Sequence, residues 1–346
     1  MKRFACLVVL IAAALSGTAQ GGAGEDWARI TAMDAGPQKK PASRDEAVLF
    51  AKNHLAAQRR LVEAYLAAYP RGPHNFDARL RLAAILAAEG KMNGNPENVS
   101  EALRMYAALE SSPDATAAQR ADAGFRRVSL VMQNQSGSPE QTRDAVVRAA
   151  RTYTATYPGD RRGPRLLVEA ATLCDGVPSQ KRDLLDEALR LTDEPPLKQR
   201  IADDFRRLDF LGRTVDLRIS SVDGGTIDLA KLRGKVVVMI FWSAESPHSL
   251  LWLQKFRTAW QSLPQKDVRV VTVSLDENRR LLDDKLRALQ ADWPTHFDSR
   301  GWEGATVRKL GINAVPTVWI FDRKGVLRTL NARDDYEAWI RRLAAE

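Results

Sequence analysis

The sequence predicts an all-α repeat domain followed by an α/β domain. Two observations carry this. Up to about residue 207, apolar residues recur at three- and four-residue spacing and whole segments of sequence return. Beyond it, short β-branched runs alternate with amphipathic stretches, the pattern of strands joined through helices. The chain has 346 residues, 45% hydrophobic and 27% charged, an ordinary globular composition. At ~150 residues per domain that length fits two domains, each able to bury a core.

The first segment is not part of either. Met1-Lys2-Arg3 precedes an apolar run from Phe4 to Leu15, and small residues Ser16 to Ala19 follow. A positive start, a short apolar stretch and small residues describe a secretory signal peptide over residues 1–19. The run is too short to span a bilayer comfortably. An exported chain without a membrane segment is expected, periplasmic or secreted. Cleavage removes Lys2 and Arg3 from a net charge of +9, and it removes Cys6, one of two cysteines. The remaining thiol, Cys174, cannot form a disulfide within its own chain. Residues 206–346 hold 24 basic and 18 acidic side chains, against 26 and 25 in residues 20–205. The basic residues are scattered, without a run interleaved with aromatics, so a solvated surface is expected and nucleic acid is not.

Residues 20–43, rich in Gly, Ala, Pro and Lys, read as a flexible lead-in. The repeat domain is expected over residues 44–207. Ala47, Leu55, Leu61, Val62, Tyr65, Leu66 and Tyr69 make one helical face, stopped by Pro70 and Gly72. A second helix runs from Arg79 to Ala88, closed by Gly90. Tyr65-Leu-Ala-Ala-Tyr69-Pro70 returns as Tyr153-Thr-Ala-Thr-Tyr157-Pro158. Glu101-Ala-Leu-Arg104 returns as Glu187-Ala-Leu-Arg190, and Gln119-Arg120 with Phe125-Arg126-Arg127 returns as Gln199-Arg200 with Phe205-Arg206-Arg207. The order is A-B-A-B, in helical hairpins that resemble tetratricopeptide-like repeats without their full signature. Such hairpins cover their apolar stripes by stacking on each other. The stack serves either as a concave partner-binding face or as a plain helical spacer.

The α/β domain is expected over residues 208–346. Asp216–Ser220 and Thr226–Asp228 flank the turn Asp223-Gly224-Gly225. Val236–Phe241 is a continuous apolar strand, buried on both faces. There follow a helix from Pro247 to about Ser262, strand Val268–Ser274, helix Asn278–Ala291 and a short strand near His296. A helical turn at Ala305–Leu310, strand Thr317–Asp322, strand Val326–Leu330 and a last helix from Asp334 complete it.

These residues carry a resemblance. Asp223-Gly224, then Asp228 through Gly234-Lys235 to Phe241-Trp242, is similar to the entry of the TlpA-like branch of thioredoxin-fold proteins, within the thiol-disulfide oxidoreductase and AhpC/TSA redoxin superfamily. Gly311-Ile-Asn-Ala-Val315-Pro316-Thr317, with Trp319-Ile-Phe321-Asp322 and Gly325, resembles the later signature of that family. The resemblance covers about residues 209–346. It implies a thioredoxin-like domain in which Pro316 follows a cis bond beside the active site, and a groove that holds an extended peptide. The groove residues it implies are Trp242, Glu245, Val315, Pro316 and Thr317.

In that family the Phe-Trp pair leads through three residues into Cys-x-x-Cys at a helix N-terminus. Here the count from Phe241-Trp242 passes Ser243-Ala244-Glu245 and reaches Ser246-Pro247-His248-Ser249. A thiolate at a helix N-terminus is favoured by the unpaired backbone N–H groups and the dipole, and both its attack and its resolution need sulfur. Serine supplies neither step, and residues 209–346 contain no cysteine. Peroxide reduction fails on the same ground. Cys174, in the apolar stretch Ala170-Ala-Thr-Leu-Cys174, reads as a small buried residue. Ser246 and His248, two positions apart at a helix start, do not face each other, and no Gly-x-Ser-x-Gly elbow is present. Ser246 then reads as a helix N-cap, Pro247 as the first helical residue and Ser249 as a neighbour of the free N–H groups. No catalytic residue, metal or cofactor is expected. The function expected is binding of a protein or extended peptide by a redox-inactive module. The rival is a thiol-disulfide oxidoreductase, as the resemblance implies.

Overall fold

A computed structural model describes residues 22–36, 40–134, 137–290 and 292–346. The expected signal peptide lies outside the described residues. The chain divides into two compact units, one ending at Asp160 and the other spanning Arg161–Glu346.

The first unit is helical: α1 Ala23–Ala32, α2 Arg44–Ala68, α3 Asn75–Asn93, α4 Pro96–Glu110, α5 Ala117–Gln133 and α6 Pro139–Thr156. The starts are written in the sequence. Ser43 and Asn95 accept from Glu46 N and Glu97 N, and Thr116 and Ser138 form reciprocal capping boxes with Gln119 and Gln141. The repeat is reproduced in detail. Tyr65 and Tyr69 pack with ring centroids 5.0 Å apart at 49°, and Tyr153 and Tyr157 at 5.0 Å and 48°. In each copy the second tyrosine leaves the helix in the same backbone conformation, donating its N–H to the first at 2.9 Å.

Two expectations are corrected here. The lead-in contains α1, whose Ile30 is buried with Val62, Tyr65 and Ile85 and whose Trp27 stacks on His74 at 4.7 Å. Its apolar positions, three apart in a Gly- and Ala-rich context, give too short a periodic signal to stand out. Gly90 does not close α3, which runs on to Asn93 and stops at Gly94 with φ 65°. Gly90 serves a close approach instead: a Cβ there would lie 2.7 Å from Val99 Cγ2 and 2.9 Å from Asn95 O.

The second unit begins with α7 Arg162–Thr172, α8 Pro178–Leu191 and α9 Pro195–Phe210. An antiparallel hairpin of β1 Arg218–Ser220 and β2 Thr226–Asp228 follows. Then come β3 Val236–Trp242, α10 Pro247–Trp260, β4 Val268–Ser274, α11 Arg279–Leu289, β5 Thr295–His296, α12 Ala305–Leu310, β6 Thr317–Phe321, β7 Leu327–Thr329 and α13 Tyr336–Ala345. The five-stranded sheet has the order β5-β4-β3-β6-β7. β3 runs parallel to β4 and antiparallel to β6, and every residue of β3 is buried. One face packs Val236, Val238, Ile240 and Trp242 with Leu253 and Phe256 of α10 and Ile340 and Leu343 of α13. On the alternate positions Phe241 meets Trp319 edge-on at 5.4 Å, and Phe210 at the end of α9 meets Trp319 at 5.9 Å. The chain then leaves α9 straight into the sheet edge: Gly212 N donates to Leu327 O at 2.8 Å and Leu327 N to Arg213 O at 3.0 Å. A helical region followed by a mixed α/β sheet is the fold class the sequence predicts.

Candidate functional site

The parallel pair β3 and β4 ends in register, Trp242 opposite Ser274, and the antiparallel partner β6 starts at the same edge with Thr317 opposite Phe241. Three connections therefore emerge together: Ser243–Ser246 before α10, Leu275–Asn278 after β4, and the segment entering β6. The last contains a cis Val315–Pro316 bond, as the family resemblance implies.

Ser246 has extended backbone (φ −91°, ψ 109°) and its Oγ accepts from Ser249 N at 3.2 Å; Pro247 occupies the first turn. Ser246 is the N-cap, as read. Ser249 is 0% exposed, with its Oγ 3.5 Å from Ser243 N, from which it accepts. His248 and Glu245 are exposed. Trp242 is 1% exposed and belongs to the core beneath the helix end, and Thr317, also 1% exposed, donates its hydroxyl to Ala314 O at 2.8 Å. Pro316 is buried, Val315 is half-buried and Ala314 is exposed. The structure thus brings the two expected clusters, 242–249 and 315–317, to one edge of the sheet. The side chains of Trp242, Ser249 and Thr317 support that edge from below, and Glu245, His248, Ala314 and Val315 face outward or partly so.

A residue the sequence reading missed organises this edge. Asp276 is 2% exposed. Its Oδ1 accepts from Ser243 Oγ at 2.8 Å and from Ala244 N at 2.8 Å; its Oδ2 accepts from Ser274 Oγ at 2.6 Å. Ser243 Oγ in turn accepts from Glu245 N at 3.1 Å. One carboxylate therefore satisfies the backbone turn that delivers α10. The available signal was Ser274 and Asp276, polar residues at and just past the end of an apolar strand whose neighbour ends at the same level.

Cys174 is 0% exposed, its sulfur 3.5 Å from Ala170 O and 3.6 Å from Gln180 Oε1, so it meets no substrate without the helices opening. Among the described residues, no group of three His, Cys, Asp or Glu side chains is placed to hold a metal. His296 is a core residue, its Nδ1 2.8 Å from Ser220 O and its Nε2 3.1 Å from Thr306 Oγ.

The first unit carries its own concavity. A groove of about 1030 Å³ lies among α3, α4 and α5, with Ala84, Ala88, Val99, Tyr106, Phe125 and Leu130 among its walls. A second, of about 580 Å³, adjoins it and shares Ala84, Asp122 and Arg126.

Residues 212–330 match the AhpC/TSA family. The chain is 24% identical over 110 residues to sporulation thiol-disulfide oxidoreductase A of Bacillus subtilis (strain 168), a match that takes in 31% of this chain and 64% of that protein. The chain therefore spans less than two thirds of that relative's length. Among solved structures, the thioredoxin domain of a Bacteroides vulgatus thiol-disulfide oxidoreductase is 17% identical, over 38% of this chain and 97% of its own, with a TM-score of 0.32. A secreted Mycobacterium tuberculosis disulfide oxidoreductase, homologous to E. coli DsbE, is 14% identical over 40% of this chain and 99% of its own, with a TM-score of 0.33. Among the described residues no helix is long and apolar enough to cross a membrane.

Proposed function

We propose that this is an exported polypeptide-binding protein whose thioredoxin-like domain has given up thiol-disulfide exchange. One observation carries the reading. The helix end that shares a sheet edge with the cis Val315–Pro316 bond has Ser246 at its cap and the buried Ser249 in its first turn, and the only cysteine beyond residue 6 is the buried Cys174. Ser246 and Ser249 would then stand where the redox relatives hold their sulfur pair. Hydroxyls there can cap a helix and cannot carry electrons. What is left is an edge with an exposed helix start and a strand-entry segment, suited to an extended chain held by backbone hydrogen bonds. The grooves of the first unit would add a second contact.

The similarity to sporulation thiol-disulfide oxidoreductase A favours a second reading, that the chain is itself an oxidoreductase. Two assays separate them. Mature protein and its Cys174→Ala variant are tested for insulin reduction, and binding is followed with carboxymethylated α-lactalbumin, a permanently unfolded chain. We expect no reduction above buffer by either protein, and binding that Cys174→Ala leaves intact and Ala314→Trp weakens about tenfold by obstructing the edge. Reduction by the wild type that disappears in Cys174→Ala would establish the rival. Introducing Ser246→Cys with Ser249→Cys should create reductase activity, since a thiol at that helix start is acidified.

A further inference from the structure

Three charged side chains of the last helical hairpin are buried together, and one of them bonds to the segment that leads to Pro316. Lys181 of α8 is 0% exposed, Asp204 of α9 1% and Arg207 5%. Lys181 Nζ donates to Asp175 Oδ1 at 2.6 Å and lies 3.3 Å from Asp204 Oδ1, with which Arg207 also pairs. The other oxygen, Asp204 Oδ2, accepts from Asn313 Nδ2 at 3.2 Å. Two further attachments flank this bond. Arg206 Nη1 donates to Arg308 O, in the last turn of α12, at 2.7 Å. Gly311, with φ 67°, lies so close to α9 that a Cβ would collide with the Asp203 carbonyl.

Buried ion clusters are a poor way to gain stability, because desolvation offsets most of the attraction. They are good at fixing direction. Here two cations hold one oxygen of Asp204, which aims the other at Asn313. The earlier hairpin holds a related arrangement, with its carboxylate on the other helix. Arg127, in the sequence place of Arg207, donates to Glu110 Oε2 at 2.7 Å, and Glu110 Oε1 accepts from the Tyr157 hydroxyl, just past α6, at 3.4 Å. In both places an arginine-held carboxylate bonds to a segment further along the chain, and for Asp204 that segment enters β6.

We propose that Asp204 is the positioning residue of the groove: it holds Gly311–Pro316 from the helical side, which makes the α8–α9 hairpin part of the polypeptide-binding edge. The binding half of this statement rests on the function proposed above; the hold on the segment does not.

Asn313→Ala in the full mature chain is the direct test, because it removes the segment's half of the bond and leaves Lys181, Asp204 and Arg207 in place. Hydrogen exchange is followed by mass spectrometry over residues 311–317, with residues 195–210 as the internal control. Exchange over 311–317 should rise about tenfold, the scale of one hydrogen bond to a charged acceptor, with the control segment unchanged. Asn313→Asp adds a signature that loose packing alone would not give. It sets a second carboxylate against Asp204, so exchange relative to wild type is fast at neutral pH and falls back as acid protonates the introduced carboxyl and lets it donate. Binding of carboxymethylated α-lactalbumin should weaken about tenfold in Asn313→Ala. Unchanged exchange over 311–317, or an increase spread evenly over the second unit, overturns the proposal. If wild type does not bind the probe while the exchange pattern appears, the binding function is wrong and the hold by Asp204 stands.

Discussion

Asp276 shows how one side chain can decide where a helix begins. The turn Ser243–Ser246 must reverse from a fully buried strand into α10, which leaves backbone N–H groups with no strand partner. The carboxylate takes the Ala244 N–H directly and the Glu245 N–H through Ser243 Oγ. Its removal strands several buried donors at once. Asp276→Ala should cost about 3 kcal/mol in urea denaturation, and Asp276→Asn, which keeps one acceptor oxygen, about half of that. A loss under about 1 kcal/mol for Asp276→Ala would mean the turn is held by something else. Ser249 belongs to the same account. With no exposed surface it is a supporting residue of the edge, so a bulky replacement there would overpack the core and not obstruct a ligand.

At the scale of elements, legibility followed periodicity. Val268–Ser274 ends where the sequence places it, and β3 needs only Trp242 added, because six consecutive apolar residues admit little else. The capped start of α10 at Ser246 was equally plain. What stayed hidden depends on contacts between distant segments. Gly90 looks like a stop until Val99 is seen packed against it, and α1 looks like linker until Ile30 finds α2. Asp204 and Arg207 read as solvated charges on a helix with Asp203, Arg206 and Asp209, and nothing in one sequence marks two of the five as buried. Their burial has a measurable pH consequence. Burial works to raise the Asp204 pKa, and the cations Arg207 and Lys181 outweigh it, leaving the carboxyl below its ordinary value. A depressed folded-state pKa means the cluster contributes fully above the unfolded value, about 3.9, and fades as pH falls through the folded one. The slope of stability against pH below about 4 should therefore be shallower in Asp204→Asn than in wild type, read from urea midpoints across that range.

For the molecule as a whole, the join between helical and α/β halves lies further upstream in contacts than in composition. Composition changes near residue 207, yet Phe210 packs on Trp319, Gly212 bonds to Leu327, and the second compact unit starts at Arg161. A fragment of residues 161–346 should unfold in one cooperative step. One of residues 208–346 should lose that cooperativity or melt roughly 10 °C or more lower, having shed a buried ion cluster and the turn of α9 that meets Arg308 and Gly311. Equal melting of the two fragments would show α8 and α9 to be appendages. For anyone borrowing this C-terminal half as a scaffold, the practical cut site follows from the collision that Gly311 avoids: the cassette has to be lifted out with its last two helices still attached, and a graft made at the visible change of composition would cut through its foundation.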